Sequence, residues 1–210
     1  MMKKAVIFDM DGTLWDSVDP IAKAWNMVCR KYQDSRRVVI NREILLGLMG
    51  KTMDKFEDAL MPPEMPAERA HEVMAECMNF ENDYLREHGA ILLGDVADVF
   101  RKLHEMGYGV CIVSNCQSGY IEAFVEHYQL ETLVDDIECY GNTGEGKAEN
   151  LRRLIGRNQL TEYCYLGDTQ GDYDACREAG VPFIWASYGF GTVDADVRKI
   201  DTLAQLLNIL

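Results

Sequence analysis

Positive charge is scarce in this chain. Its 210 residues carry 21 lysines and arginines against 35 aspartates and glutamates, a formal net charge of −14. So acidic a surface repels polyphosphate backbones, and no basic stripe offsets it, so no nucleic-acid partner is expected. Long apolar runs are missing too. None approaches the roughly 18 residues of a bilayer-spanning helix, so no membrane partner is expected. Met1-Met2-Lys3-Lys4 is charged like the start of a signal peptide, but the apolar stretch that follows stops at Asp9, too short for secretion. Paired cysteines are lacking as well. The seven, at 29, 77, 111, 116, 139, 164 and 176, are odd in number, scattered and without a CxxC. That pattern argues against a disulfide framework or zinc knuckle and for reduced thiols in the cytoplasm. Cys111, Cys139 and Cys164 lie in apolar runs and are expected to be buried, whereas Cys116, just past a strand, is the thiol expected to be exposed.

What is present is the composition of a folded globule: 48% hydrophobic and 27% charged residues, enough for one large domain or two small ones. Five short apolar, β-branched runs stand out at Ala5–Phe8, Gly109–Val113, Val134–Tyr140, Tyr163–Gly167 and Pro182–Ala186. Helical patterns at Val96–Gly107, Gly119–Tyr128, Ala148–Gly156 and Tyr173–Gly180 alternate with them, and Gly107, Gly156 and Gly180 read as C-caps. Near-continuously apolar strands alternating with amphipathic helices predict an α/β fold with a parallel sheet covered on both faces. From Asp16 to Gly89 the alternation stops. Val18, Ile21, Trp25, Val28, Cys29 and Tyr32 recur at helical steps after an N-cap at Ser17 or Asp19. Helical patterns follow at Arg42–Met49 and Thr52–Leu60, and a long helix runs from about Pro66 to Gly89. Such an insertion reads as a lid. Seven of the eleven methionines fall in it, as core filler or as an adaptable surface facing a ligand.

The chemistry concentrates at strand ends. Val6-Ile7-Phe8-Asp9-Met10-Asp11-Gly12-Thr13 runs an apolar strand into two aspartates two apart, where open α/β sheets bind ligands. Two close carboxylates repel and call for a cation or a proton, and Gly12 lets the backbone turn sharply. Leu166-Gly167-Asp168-Thr169-Gln170-Gly171-Asp172 ends a second strand with another acidic pair, Asp172 also suiting the positive start of a helix. If the strands are neighbours, Asp9, Asp11, Asp168 and Asp172 converge on an oxygen-rich site suited to Mg²⁺. Ser114 and Asn115 close a third strand and can donate to an anion, and Lys147 is a cation able to balance carboxylates and phosphate.

These pieces, in this order, resemble the haloacid-dehalogenase-like superfamily of phosphotransferases: DxDGT at Asp9–Thr13, a strand ending in Ser114-Asn115, Lys147, and GDxxxD at Gly167–Asp172. The Asp16–Pro20 stretch and the Arg177–Gly180 tail add to the likeness, which covers essentially the whole chain and looks most like phosphoglycolate-phosphatase-type members. The resemblance implies a Rossmann-like three-layer catalytic core from residues 1–15 and 90–210, with a four-helix cap at 16–89. It implies Asp9 as nucleophile, Asp11 as general acid and then base, and Ser114 and Lys147 holding the phosphoryl oxygens, with Gly12, Thr13 and Asn115 beside them. Asp9, Asp168 and the Asp11 backbone carbonyl would hold Mg²⁺, with Asp172 in support. Lys51, in the cap near Gly50, is a candidate to reach a substrate carboxylate. The expected activity is hydrolysis of a small phosphorylated metabolite, by a monomer or small homo-oligomer. Asp11 argues against dehalogenases and phosphonate-cleaving members, which lack an acid there. Sugar-phosphate mutases of the β-phosphoglucomutase type keep both aspartates and are the alternative on the same scaffold; they commonly carry valine where this chain has Thr13, which tilts the reading slightly toward hydrolysis.

Two other readings compete. Gly141–Ala148 fits the phosphate-cradling GxxxxGK but has Ala148 where such loops place a hydroxyl on Mg²⁺. A non-catalytic binding domain would leave the intact acid, cation and hydroxyl positions without a task. The four histidines, at 71, 88, 104 and 127, lie in polar helical stretches away from every motif.

Overall fold

The computed structural model describes residues 3–210. Along the chain come β1 (Lys4–Phe8), β2 (Trp15–Asp16), α1 (Val18–Cys29), α2 (Arg42–Leu46), α3 (Met53–Leu60), α4 (Ala67–His88) and β3 (Ile91–Leu92). Then follow α5 (Val96–Glu105), β4 (Gly109–Ser114), α6 (Tyr120–His127), β5 (Asp136–Cys139), α7 (Tyr140–Thr143) and α8 (Lys147–Asn158). The last elements are β6 (Glu162–Gly167), α9 (Gln170–Ala179), β7 (Phe183–Ala186) and β8 (Lys199–Ile200), with a closing 3₁₀ segment at Leu203–Asn208.

Six strands pair in the order β5-β4-β1-β6-β7-β8, each pair parallel. Alternate residues of a strand face opposite layers. Val6 and Phe8 of β1 join Val110 and Ile112 in the core that includes Val99, Phe100 and Leu103 of α5. Ala5 and Ile7 join Cys111 and Val113 against Leu151 and Leu154 of α8 and Cys176 of α9. The near-continuous apolar runs thus follow from burial on both faces. β1 lies between β4 and β6, so the chain builds outward first on one side and then on the other. That is the topological switch point, whose crevice opens at the carboxyl ends of β1, β4 and β6.

Helices α1 to α4 form the insertion expected between the first strand and the rest, with α1 packed along α4 and α4 resting on α6. Asn82 Nδ2 donates to Ser118 O at 2.8 Å, and Arg86 Nε to Glu126 at 2.5 Å, joining α4 to the sheet portion. The methionines divide: Met61 and Met74 are core, whereas Met49 and Met53 line a cavity facing the strand ends.

Several expectations need correction. Gly156 does not end its helix; α8 continues to Asn158 and closes on Gln159 at φ 54°. β5 is shorter than Val134–Tyr140, and α9 starts at Gln170, before Tyr173. Cys116 is buried and Cys164 is the half-exposed thiol, because Cys116 turns in under the insertion. The ribbon of Trp15–Asp16 with Ile91–Leu92, at the base of the insertion, had no signal in a two-residue pattern. Among the described residues no helix is long and apolar enough to cross a membrane.

Candidate active site

Asp9 leaves β1 with its N–H donated to Leu166 O at 2.9 Å, and Asp168 leaves the adjacent β6, so the sheet register sets the two side by side. Asp172, in the first turn of α9, joins them: carboxylate oxygens of Asp9, Asp168 and Asp172 lie within 4.8 Å of one another, all buried. Lys147, at the start of α8 and 5% exposed, donates to Asp9 Oδ1 at 2.8 Å and to Asp172 Oδ1. Ser114, the last residue of β4, is buried at the same crevice.

The charges do not balance. Three carboxylates face one ammonium in a space closed to water. Burial, then the Asp172 charge, pushes the Asp9 carboxyl up to about 7, and the same causes push Asp168 up to about 8. Burial alone would lower Lys147, but Asp172 and Asp9 outweigh it and hold the ammonium charged. Asp168 Oδ2 accepts from Phe190 N at 2.7 Å and Gly191 N at 3.3 Å, whereas its Oδ1 is buried with no hydrogen-bond partner among the described residues. An orphaned carboxylate oxygen beside two further carboxylates, all of them hard oxygen donors, fits a small divalent cation such as Mg²⁺.

Asp172 serves twice. Its Oδ2 accepts from Thr169 N at 2.9 Å and Thr169 Oγ1 at 2.7 Å, closing a capping box at the start of α9, while its Oδ1 faces Lys147. Helix acid and site residue are therefore the same side chain.

The carboxylate of Asp11 stands apart from this cluster. Its Oδ1 accepts from Tyr120 OH at 2.7 Å and from Ser17 Oγ, so Ser17 spends its hydroxyl on Asp11 and makes no side-chain cap on α1. Burial pushes the Asp11 carboxyl up, and these two bonds pull it back. Gly12 has φ +81°, and a Cβ there would fall 2.2 Å from Asp168 Oδ2, so glycine is required both for the turn and for the approach of β6. The N–H groups of Gly12 and Thr13 are spent inside the loop, on Trp15 O and Met10 O, so both shape the site and their amides are not free for a phosphate. Asn115 Nδ2 donates to Gly50 O at 2.9 Å, and a side chain at Gly50 would touch Thr169, which sets the Gly50-Lys51 turn over the strand ends.

A cavity of about 40 Å³ separates the insertion from the sheet; Asp11, Lys51, Ser114, Asn115 and Tyr120 line it. Gly141–Gly146 is no phosphate cradle. Its first turn is α7, a Cβ on Gly141 would fall 2.0 Å from Ser118 N, and the lysine that follows points inward to Asp9. Sequence reasoning missed Tyr120, Glu81 and the Gly189-Phe190-Gly191 turn. Only the turn left a trace, two glycines flanking an aromatic just past an apolar strand.

The family model described as haloacid dehalogenase-like hydrolase matches residues 6–186. The phosphoglycolate phosphatase of Aliivibrio fischeri is 26% identical over 199 residues, which cover 89% of this chain and 85% of that one. A predicted phosphoglycolate phosphatase from Haemophilus somnus has a TM-score of 0.82 at 17% identity, covering 100% of this chain and 98% of that chain. β-Phosphoglucomutase from Clostridium difficile has a TM-score of 0.74, also at 17% identity, covering 98% and 93%. At such identities the two structures share the fold.

Proposed function

Because the chain belongs to the haloacid dehalogenase-like hydrolases, we propose that it is a Mg²⁺-dependent phosphatase acting on a small phosphate monoester, phosphoglycolate-like or a sugar phosphate. The observation that carries this reading is the buried cluster of Asp9, Asp168 and Asp172, with Lys147 bonded to Asp9 and Asp172 and Asp168 Oδ1 unpartnered among the described residues.

Asp9 attacks phosphorus and forms an aspartyl phosphate as the bond to the leaving alcohol breaks. Asp11 gives that alcohol its proton; burial, by favouring the protonated carboxyl, suits it to this step. Asp11 then takes a proton from water, which attacks the same phosphorus, releases phosphate and restores Asp9. Ser114 and Lys147 hold phosphoryl oxygens, and Asn115 and Lys51 stand over the same end. Asp9, Asp168 and the Asp11 backbone carbonyl would hold Mg²⁺, steadied by Asp172 through Lys147. When bound, the ion neutralises charge on the phosphoryl oxygens.

The direct test is a screen of small phosphate monoesters, with Mg²⁺ and with excess EDTA. Inorganic phosphate is expected only in the Mg²⁺ arm; no release from any ester with Mg²⁺ overturns the reading. Tyr120 and Ser17 act as positioning residues for Asp11. Tyr120→Phe removes a donor that favours ionised Asp11, so the Asp11 pKa rises. The alkaline limb of the kcat/KM profile, which Asp11 sets as the acid, is expected to move up by about one pH unit and kcat to fall about tenfold. An unmoved limb would remove Tyr120 from this role.

A further inference from the structure

Glu81 is a carboxyl that the proposed reaction does not use. It sits on α4, 2% exposed, and lines the cavity beside Asp11 together with Ile21, Trp25 and Phe56. Trp25 Nε1 donates to its Oε2 at 2.5 Å and fixes it on that wall. The lining mixes polar and apolar side chains. Gly50, tied to Asn115 and abutting Thr169, brings Lys51 into that lining beside Ser114 and Asn115, where the proposed reaction has it face the phosphoryl group. Glu81, Ile21, Trp25 and Phe56 line the same cavity as Asp11, the acid proposed for the departing alcohol.

We propose that Glu81 is a specificity-determining residue for the leaving group: it accepts a neutral, hydroxyl-bearing alcohol and turns away esters whose leaving group carries a carboxylate. This rests on the phosphatase reading above.

The physical grounds are solvation and pairing. Burial pushes the Glu81 carboxyl up to about 8 in spite of bonds from Gln117 and Trp25, so at neutral pH it offers one O–H donor and acceptor lone pairs to a hydroxyl. A wall that discharges its own carboxyl is a poor solvent for a second one. One O–H does not replace the hydration that a carboxylate loses there. Past Met53 and Gln117, which line both spaces, a groove of about 510 Å³ opens, edged by Asp54, Glu57 and Asp58. At this groove Lys55 is shared between Asp54 and Asp58, and His71 meets Glu57 at 3.3 Å, so among the described residues edging it no unshared cation awaits an anion; Lys51, in the cavity itself, is assigned to the phosphoryl group. A site that hydrogen-bonds a hydroxyl discriminates strongly against analogues that lack it.

The test uses two esters that differ in one group, 2-hydroxyethyl phosphate and phosphoglycolate, with CH₂OH in the first where the second has a carboxylate. With the full chain and Mg²⁺, kcat/KM for the hydroxyl ester is expected to exceed that for phosphoglycolate by about tenfold or more. Glu81→Leu should erase most of that ratio by slowing the hydroxyl ester, and Glu81→Gln, which still donates and accepts, should keep it. A wild-type preference for phosphoglycolate, or a Glu81→Leu variant that slows both esters equally, overturns the inference and leaves the phosphatase reading standing. If the leucine variant does not fold, the wild-type ratio decides alone. If the wild type releases phosphate from neither ester nor from any in the screen, the phosphatase reading fails and this inference with it.

Discussion

Asp9→Asn is expected to lower kcat by roughly 10³-fold or more, as loss of a group acting directly in the transition state does, while the protein stays folded. An amide has almost the shape of the carboxylate but is no nucleophile. Folding should tolerate it because the native carboxyl is already disfavoured as an anion: burial and Asp172 push it up to about 7. Lys147 keeps its second partner, Asp172, in the variant. Phosphate release and the thermal midpoint should therefore separate, the first collapsing and the second moving by a few degrees at most. Turnover retained in a folded Asp9→Asn protein removes Asp9 as the group that takes the phosphoryl.

Lys147→Met should damage both properties. The ammonium is buried and bonded to Asp9 and Asp172 at once, so its removal leaves two carboxylates in a closed space without a counter-charge. Breaking a buried ion pair by deleting one partner costs about 3–5 kcal/mol, more than the pair itself contributes to stability. For a chain of this size that corresponds to a fall in Tm of roughly 10 °C. Because a bound cation stabilises only the folded state, Mg²⁺ should restore part of the loss in the variant. Activity should fall by about 10²-fold or more, since a donor to the transferring oxygens is gone. Denaturant unfolding with and without Mg²⁺ measures the first effect and phosphate release the second. A variant as stable as the parent would mean that Lys147 does not neutralise this cluster.

The strand ends were legible because β1, β4 and β6 are buried on both faces and so read as unbroken apolar runs stopping at Asp9, Ser114 and Asp168. A residue's place at the end of such a run needs no tertiary knowledge. Glu81 and Tyr120 were not legible. Glu81 meets Trp25 56 positions away, and Tyr120 meets Asp11 109 positions away. On their own helices each is one more residue of the packed face. The misplaced end of α8 has a local cause: Gly156 is tolerated inside the helix, and Gln159 takes the left-handed turn that glycine usually provides. Cys116 was misjudged because nothing local reveals that the insertion folds over it.

The two acids of the GDxxxD motif would fare differently if a descendant of this chain were released from selection for turnover. Asp172 starts α9, and its loss would weaken the fold whether or not any ester is cleaved. Asparagine at Asp168 would keep an acceptor for Phe190 and Gly191 while removing the charge proposed to hold the cation. In such lineages decay should begin at 168 and spare 172, so the first of these residues, not the second, marks a paralogue that still works.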